Sequence, residues 1–133
     1  MLAIIILVIL IIALILLVFF VREQTKITGR AFTPGQFSAE NSYLFASPLL
    51  AVANGQEKIR ITIFALDSQG VGVPGRAVFL TGHQNLVADP VQSQTDSLGK
   101  AVFDLSSTAA AQYLIEVQIE GETLPQTLKV TFR

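Results

Sequence analysis

His83 is the single histidine of the chain, and it stands between Gly82 and Gln84 in a stretch that reads as a loop. General-base work and metal ligation both need partners fixed around such a group. The nearest acid is Asp89, and the chain has no second histidine and no cysteine. A Ser-His-acid arrangement needs the base set against a nucleophile, which one loop histidine on a small domain does not provide. We therefore read His83 as a loop residue and expect no catalysis. Asp67, Asp89 and Asp96 stand beside turn sequences. Carboxylates gathered at one end of a domain can bind calcium. No D-x-D-x-D loop is present, however, so Asp67 and Asp96 are expected to bond the backbone of their own turns. No Gly-rich loop opens a helix, so there is no phosphate cradle. We expect no cofactor and no metal.

Composition narrows the classes further. The formal net charge of the 133 residues is −1, with scattered basic residues. That gives no basic field for nucleic acid, and the aromatic residues are expected on buried faces. With no cysteine, neither a disulfide framework nor a thiolate site is available. The exposed apolar candidates for a binding patch are Leu66, Leu86, Val87 and the stretch FASPLLAV, Phe45 to Val52. The simpler reading of FASPLLAV is a first strand broken by Pro48 as the chain crosses between sheets.

The elements that position these residues alternate with period two. In EKIRITIFAL, Ile59, Ile61, Ile63 and Ala65 share one face, with Arg60 and Thr62 on the other. DSQGVGVPG, Asp67 to Gly75, reads as a turn into the strand RAVFLTG. A loop is expected from His83 to Pro90, then a short polar edge strand VQSQT and a turn TDSLG. KAVFDLSS, QYLIEVQIE and QTLKVTFR point Ala101, Phe103, Leu105, Tyr113, Ile115, Val117, Ile119, Leu128, Val130 and Phe132 inward. SSTAAAQ offers at most one helical turn. About seven one-sided strands at a spacing of roughly ten residues imply antiparallel sheets covering each other's apolar faces. The expected fold over residues 42–133 is all-β, an antiparallel immunoglobulin-like β-sandwich.

Ahead of it, residues 22–41 read as an extended connector punctuated by Gly29, Pro34 and Gly35. Met1 to Val21 carries no charge, proline, glycine or amide. As a helix it is about one hydrocarbon thickness long. No basic residue precedes the run and no small-residue cleavage site ends it. We read an uncleaved transmembrane α-helix, with Met1, Leu10, Phe19, Phe20 and Val21 among the anchor residues and the lipid bilayer as its partner.

ANGQEKIRITIFALDSQGVGVPGRAVFL and TDSLGKAVFDLSSTAAAQYLIEVQIEG together resemble the group 1 bacterial Ig-like domains of the invasin/intimin kind. The pieces are A-N-G before an alternating strand, a D-x-x-G connection, T-D-x-x-G-x-A-x-F, and a closing Y-x-I-x-V strand. The resemblance implies a surface-exposed spacer or adhesion unit with no catalytic residues and an unidentified protein or surface-glycan partner. Counting Arg22, Lys26 and Arg30 alone, the positive-inside rule places the tail in the cytoplasm; the resemblance places it outside. We adopt the extracellular placement and expect basic residues ahead of Met1 in the natural chain. The leading expectation is a single-pass, cell-membrane surface protein displaying one Ig-like domain for adhesion, binding or spacing. The alternatives are a pilin-like filament subunit and an accessory subunit of a membrane complex.

Overall fold

The computed structural model describes residues 1, 6–7, 10–18, 35–82 and 84–133. The chain divides into two units, Met1–Thr33 and Pro34–Arg133. In the first, Ile6–Leu7 and Leu10–Val18 are helical and exposed, and Met1 is exposed and non-helical. Among the described residues no helix is long and apolar enough to cross a membrane. Leu10–Val18 alone reaches about 14 Å, half a hydrocarbon core. Phe19, Phe20 and Val21, expected to finish the anchor, lie outside the described residues, as do residues 22–34 of the connector.

Among the described residues the second unit holds nine strands, two more than the sequence spacing implies. They are β1 (Phe37–Ser47), β2 (Leu50–Ala51), β3 (Ile59–Asp67), β4 (Val78–Thr81), β5 (Val87–Gln92), β6 (Lys100–Ser106), β7 (Ala111–Ile119), β8 (Glu122–Thr123) and β9 (Leu128–Phe132). The additional elements are the two-residue strands β2 and β8, too short to show a period. β1 starts inside the stretch expected as connector. β5 takes up Val87–Pro90, expected as loop, and SSTAAAQ forms a bend and the start of β7 rather than a helical turn. One sheet has the order β1-β3-β6-β5; the other runs β2-β9-β7-β4, with β8 paired to β7. Every named pair is antiparallel except β2 with β9.

The first strand changes sheets at Pro48, as FASPLLAV implied. Before it, β1 runs against β3 from Phe37↔Asp67 to Ser47↔Arg60; after it, β2 runs beside β9, with Leu50↔Thr131 and Ala51↔Phe132. Both edges of the first sheet are blunted. Gln126 Oε1 accepts the N–H of Leu44 at 3.1 Å along β1, and β5 carries Pro90, which has no donor to offer.

The alternation read in the sequence is the core. Ile59, Ile61, Ile63, Ala65, Ala101, Leu105, Ile115, Val117, Ile119 and Val130 are fully buried. Tyr113 and Leu128 pack at its margin. Each fully buried Ile or Leu contributes about 2 kcal/mol relative to exposure. The facing sheets therefore hold together without cross-links, which matters in a chain with no cysteine.

Candidate functional site

The strands that bury one face present the other to solvent, and on the β1-β3-β6-β5 sheet that outer face is unusually aromatic. Because Ser42 and Leu44 face inward, Tyr43 and Phe45 must face out, and both are exposed. Register puts Tyr43 opposite Phe64 of β3 and Phe45 on its diagonal. The rings stack: Tyr43–Phe64 centroids lie 5.2 Å apart and Phe45–Phe64 centroids 6.4 Å apart. Cross-strand aromatic neighbours of this kind stabilise a sheet face while leaving ring edges free for a partner. The expectation that aromatic residues lie on buried faces is thus corrected for Tyr43, Phe45 and Phe79, the last 60% exposed.

Beside the rings runs a row of charge. Arg60 donates to Asp104 through Nε at 2.8 Å and Nη2 at 2.9 Å, a bidentate pair between register partners. That contact holds the Asp104 carboxyl below the usual carboxylate range and raises the Arg60 guanidinium. Asp89 of β5 sits opposite Asp104, a like-charge pairing that costs stability unless each acid has a cation. Lys58 supplies the second cation, with Nζ 3.1 Å from Asp89 Oδ2. The face therefore offers apolar edges and locally neutralised charge.

The other acids build turns rather than a ligand site. Asp67 Oδ1 accepts from the N–H groups of Gln69 at 2.8 Å and Val71 at 2.9 Å, and its Oδ2 accepts from Gly35 at 2.8 Å. The Val71 bond first, then the Gly35 bond, holds its carboxyl below the ordinary value against the opposing effect of burial. Asp96 Oδ1 accepts from Leu98 at 2.9 Å and Lys100 at 3.0 Å, and its carboxyl is lowered chiefly by the Lys100 N–H. Asp67, Asp89 and Asp96 thus serve a turn, an ion pair and a second turn. Among the described residues no group of three or more His, Cys, Asp or Glu side chains could hold a metal ion. His83 lies outside the described residues.

Of the apolar candidates, Phe45, Leu49, Leu50, Val52 and Val87 are exposed. Leu86 is buried in the core and Leu66 is half-buried, so neither offers a free surface. Thr95 carries a structural role that its turn-like sequence hides. It is buried, donates through Oγ1 to Val73 O at 2.7 Å and accepts from Arg76 N–H at 2.9 Å. Its backbone also exchanges bonds with Gly75 and Arg76. The two turns quoted from the sequence, Asp67–Gly75 and Thr95–Gly99, are in this way locked face to face. A threonine preceding Asp-x-x-Gly was the available signal; only the long-range pairing gives it meaning.

Comparison with known proteins places this arrangement. Residues 41–133 match the family profile described as bacterial Ig-like domain (group 1). No curated protein sequence matches the chain. Among solved structures it is similar to the Yersinia pseudotuberculosis adhesin InvE, with 23% identity over 74% of this chain and 28% of that one, TM-score 0.62. The D00–D0 domains of intimin share 22% identity over 74% of this chain and 50% of theirs, TM-score 0.60. Invasin, a bacterial integrin-binding protein, shares 23% over 76% of this chain and 20% of its own length, TM-score 0.62. The chain spans between a fifth and a half of the length of these structures, and at these identities the likeness is one of fold.

Proposed function

The chain belongs to the bacterial Ig-like domain (group 1) family, and from that premise we propose that it displays one non-catalytic Ig-like module outside the cell, tethered by its apolar N-terminal segment. The observation that carries the reading is the joining of two features in one chain. One is a domain of a family whose similar structures include adhesins; the other is the uninterrupted apolar run Met1–Val21. A run of that length and composition is far more stable in a bilayer than in water. The module acts in adhesion, as a spacer or by engaging a partner. The Tyr43–Phe64–Phe45 face is its candidate contact surface, since exposed aromatic side chains give large buried area at low ordering cost. A protein partner is favoured because invasin is an integrin-binding protein; a surface glycan is the other class such a face could take.

The tether is tested by membrane extraction. The full chain stays in the membrane pellet through an alkaline carbonate wash, and deletion of residues 1–21 moves the domain to the soluble fraction. Release of the full chain by carbonate alone would contradict the tether.

A further inference from the structure

The terminal strands of the domain are arranged for tension. Gly35 lies at one pole of the sandwich, bonded to Asp67 where β3 ends. Arg133 lies at the other: it follows Phe132, which pairs with Ala111 at the start of β7. There Ala53 N–H donates to Arg133 O, and Gly55 N–H to Ser107 O just after β6. Phe37↔Asp67 and Ser47↔Arg60 fix β1 as running from the first pole to the second. The chain therefore enters at one end and leaves at the opposite end.

Between those ends, β2 and β9 are parallel neighbours. Beyond the bonds within the two strands themselves, three backbone bonds extend this seam: Thr131 N–H to Leu49 O at 3.0 Å, Arg133 N–H to Ala51 O at 3.0 Å, and Ala53 N–H to Arg133 O at 2.8 Å. Pulling on the two ends draws β1 and β2 toward the first pole and β9 toward the second. Because the strands are parallel, the load runs along both, and all the bonds of the seam stretch at once. Pulling both strands from their C-terminal ends would instead break the same bonds one after another.

We propose that this domain is built to carry tension along its long axis, with the parallel β2–β9 seam as a shear clamp. β1 adds to it, being loaded along its own length against β3 over the register Phe37↔Asp67 to Ser47↔Arg60. The inner faces support the clamp, since Ala51, Val130 and Phe132 are buried and sliding them would expose apolar surface. The property belongs to the folded sandwich and goes beyond the display reading without depending on it.

Single-molecule force spectroscopy on the full chain tests this. The chain has no cysteine, so introduced cysteines give unique handles. One protein carries Gln36→Cys and Arg133→Cys, loading the domain from end to end. A second carries Gln56→Cys and Arg133→Cys, both at the far pole, opening the same seam from its end. At one loading rate the end-to-end unfolding force is expected to be severalfold the higher, because evenly spaced bonds of a parallel pair share the load. Equal forces in the two geometries overturn the proposal. Ala53→Pro, confirmed folded by its far-UV circular dichroism, removes one of the seam's donors and lowers the end-to-end force by about a quarter; an unchanged force likewise overturns it.

Discussion

Replacing Gly99 by alanine separates two costs that Gly70→Ala does not. Both glycines have positive φ, +74° and +78°. An L-residue pays about 1–2 kcal/mol to adopt that conformation, partly offset by about 0.4–1 kcal/mol from a stiffer unfolded chain. At Gly70 nothing lies within 4 Å of an added Cβ, so the balance is all that remains. At Gly99 the added Cβ would sit 2.2 Å from Ala65 O, 2.8 Å from Gly72 Cα and 2.9 Å from Val73 N. All three are backbone atoms, so no side chain can swing aside. The turn must back away from β3, and with it goes the 2.8 Å bond from Ala65 N–H to Gly99 O. Ala65 is fully buried, so the orphaned donor costs about 1–3 kcal/mol, with disturbed packing added. We expect Gly99→Ala to destabilise by about 3–5 kcal/mol and Gly70→Ala by no more than about 1 kcal/mol. In a domain of this size that separates the two Tm values by about 10 °C or more. Thermal melts followed by far-UV circular dichroism read the difference directly. Tm values within about 2 °C of each other would refute the claim that the two turns meet backbone to backbone.

Two further outcomes follow from the same locked turns. Thr95→Val keeps the side-chain volume but strands Val73 O and Arg76 N–H, and should cost about 2–3 kcal/mol in urea unfolding; a loss below about 0.5 kcal/mol would mean the hydroxyl is not bonded as described. Stability should also fall in acid. The carboxyls of Asp67, Asp96 and Asp104 are held below their ordinary value in the folded state. The unfolded chain therefore binds more protons than the folded one as pH drops through about 4 and below. Their contribution is present at neutral pH and lost as pH falls through the folded values, so Tm should decline from pH 6 to pH 2.5. The decline should be shallower in Asp67→Asn, and an identical slope would contradict the bonding described for Asp67.

How far the sequence spoke for itself depended on the range of the interaction. Ile59, Ile61, Ile63 and Ala65 alternate with polar neighbours, so the burial of β3 was legible from one segment. The sheet change at Pro48 was legible too, because proline has no N–H for the ladder and marks edges and breaks of strands. Tyr43 and Phe45 were not. Tyr43, Leu44 and Phe45 are consecutive and apolar, so no period says which of them faces out. Only the packed fold does, in which Leu44 is buried and Tyr43 and Phe45 are exposed beside Phe64. Leu86 appeared free because its neighbours are loop-like, yet it closes the core beside β5. Thr95 and Gly99 read as ordinary turn residues, since their partners Val73, Arg76 and Ala65 are more than fifteen residues away in the chain.

Trypsin treatment of intact cells tests the display of the domain most directly. Arg22, Lys26 and Arg30 lie between the apolar run and the first strand. If the domain is outside, trypsin added to whole cells releases a folded fragment into the medium while the apolar segment stays with the membrane. If the fragment appears only after lysis, the domain is inside and the account is wrong.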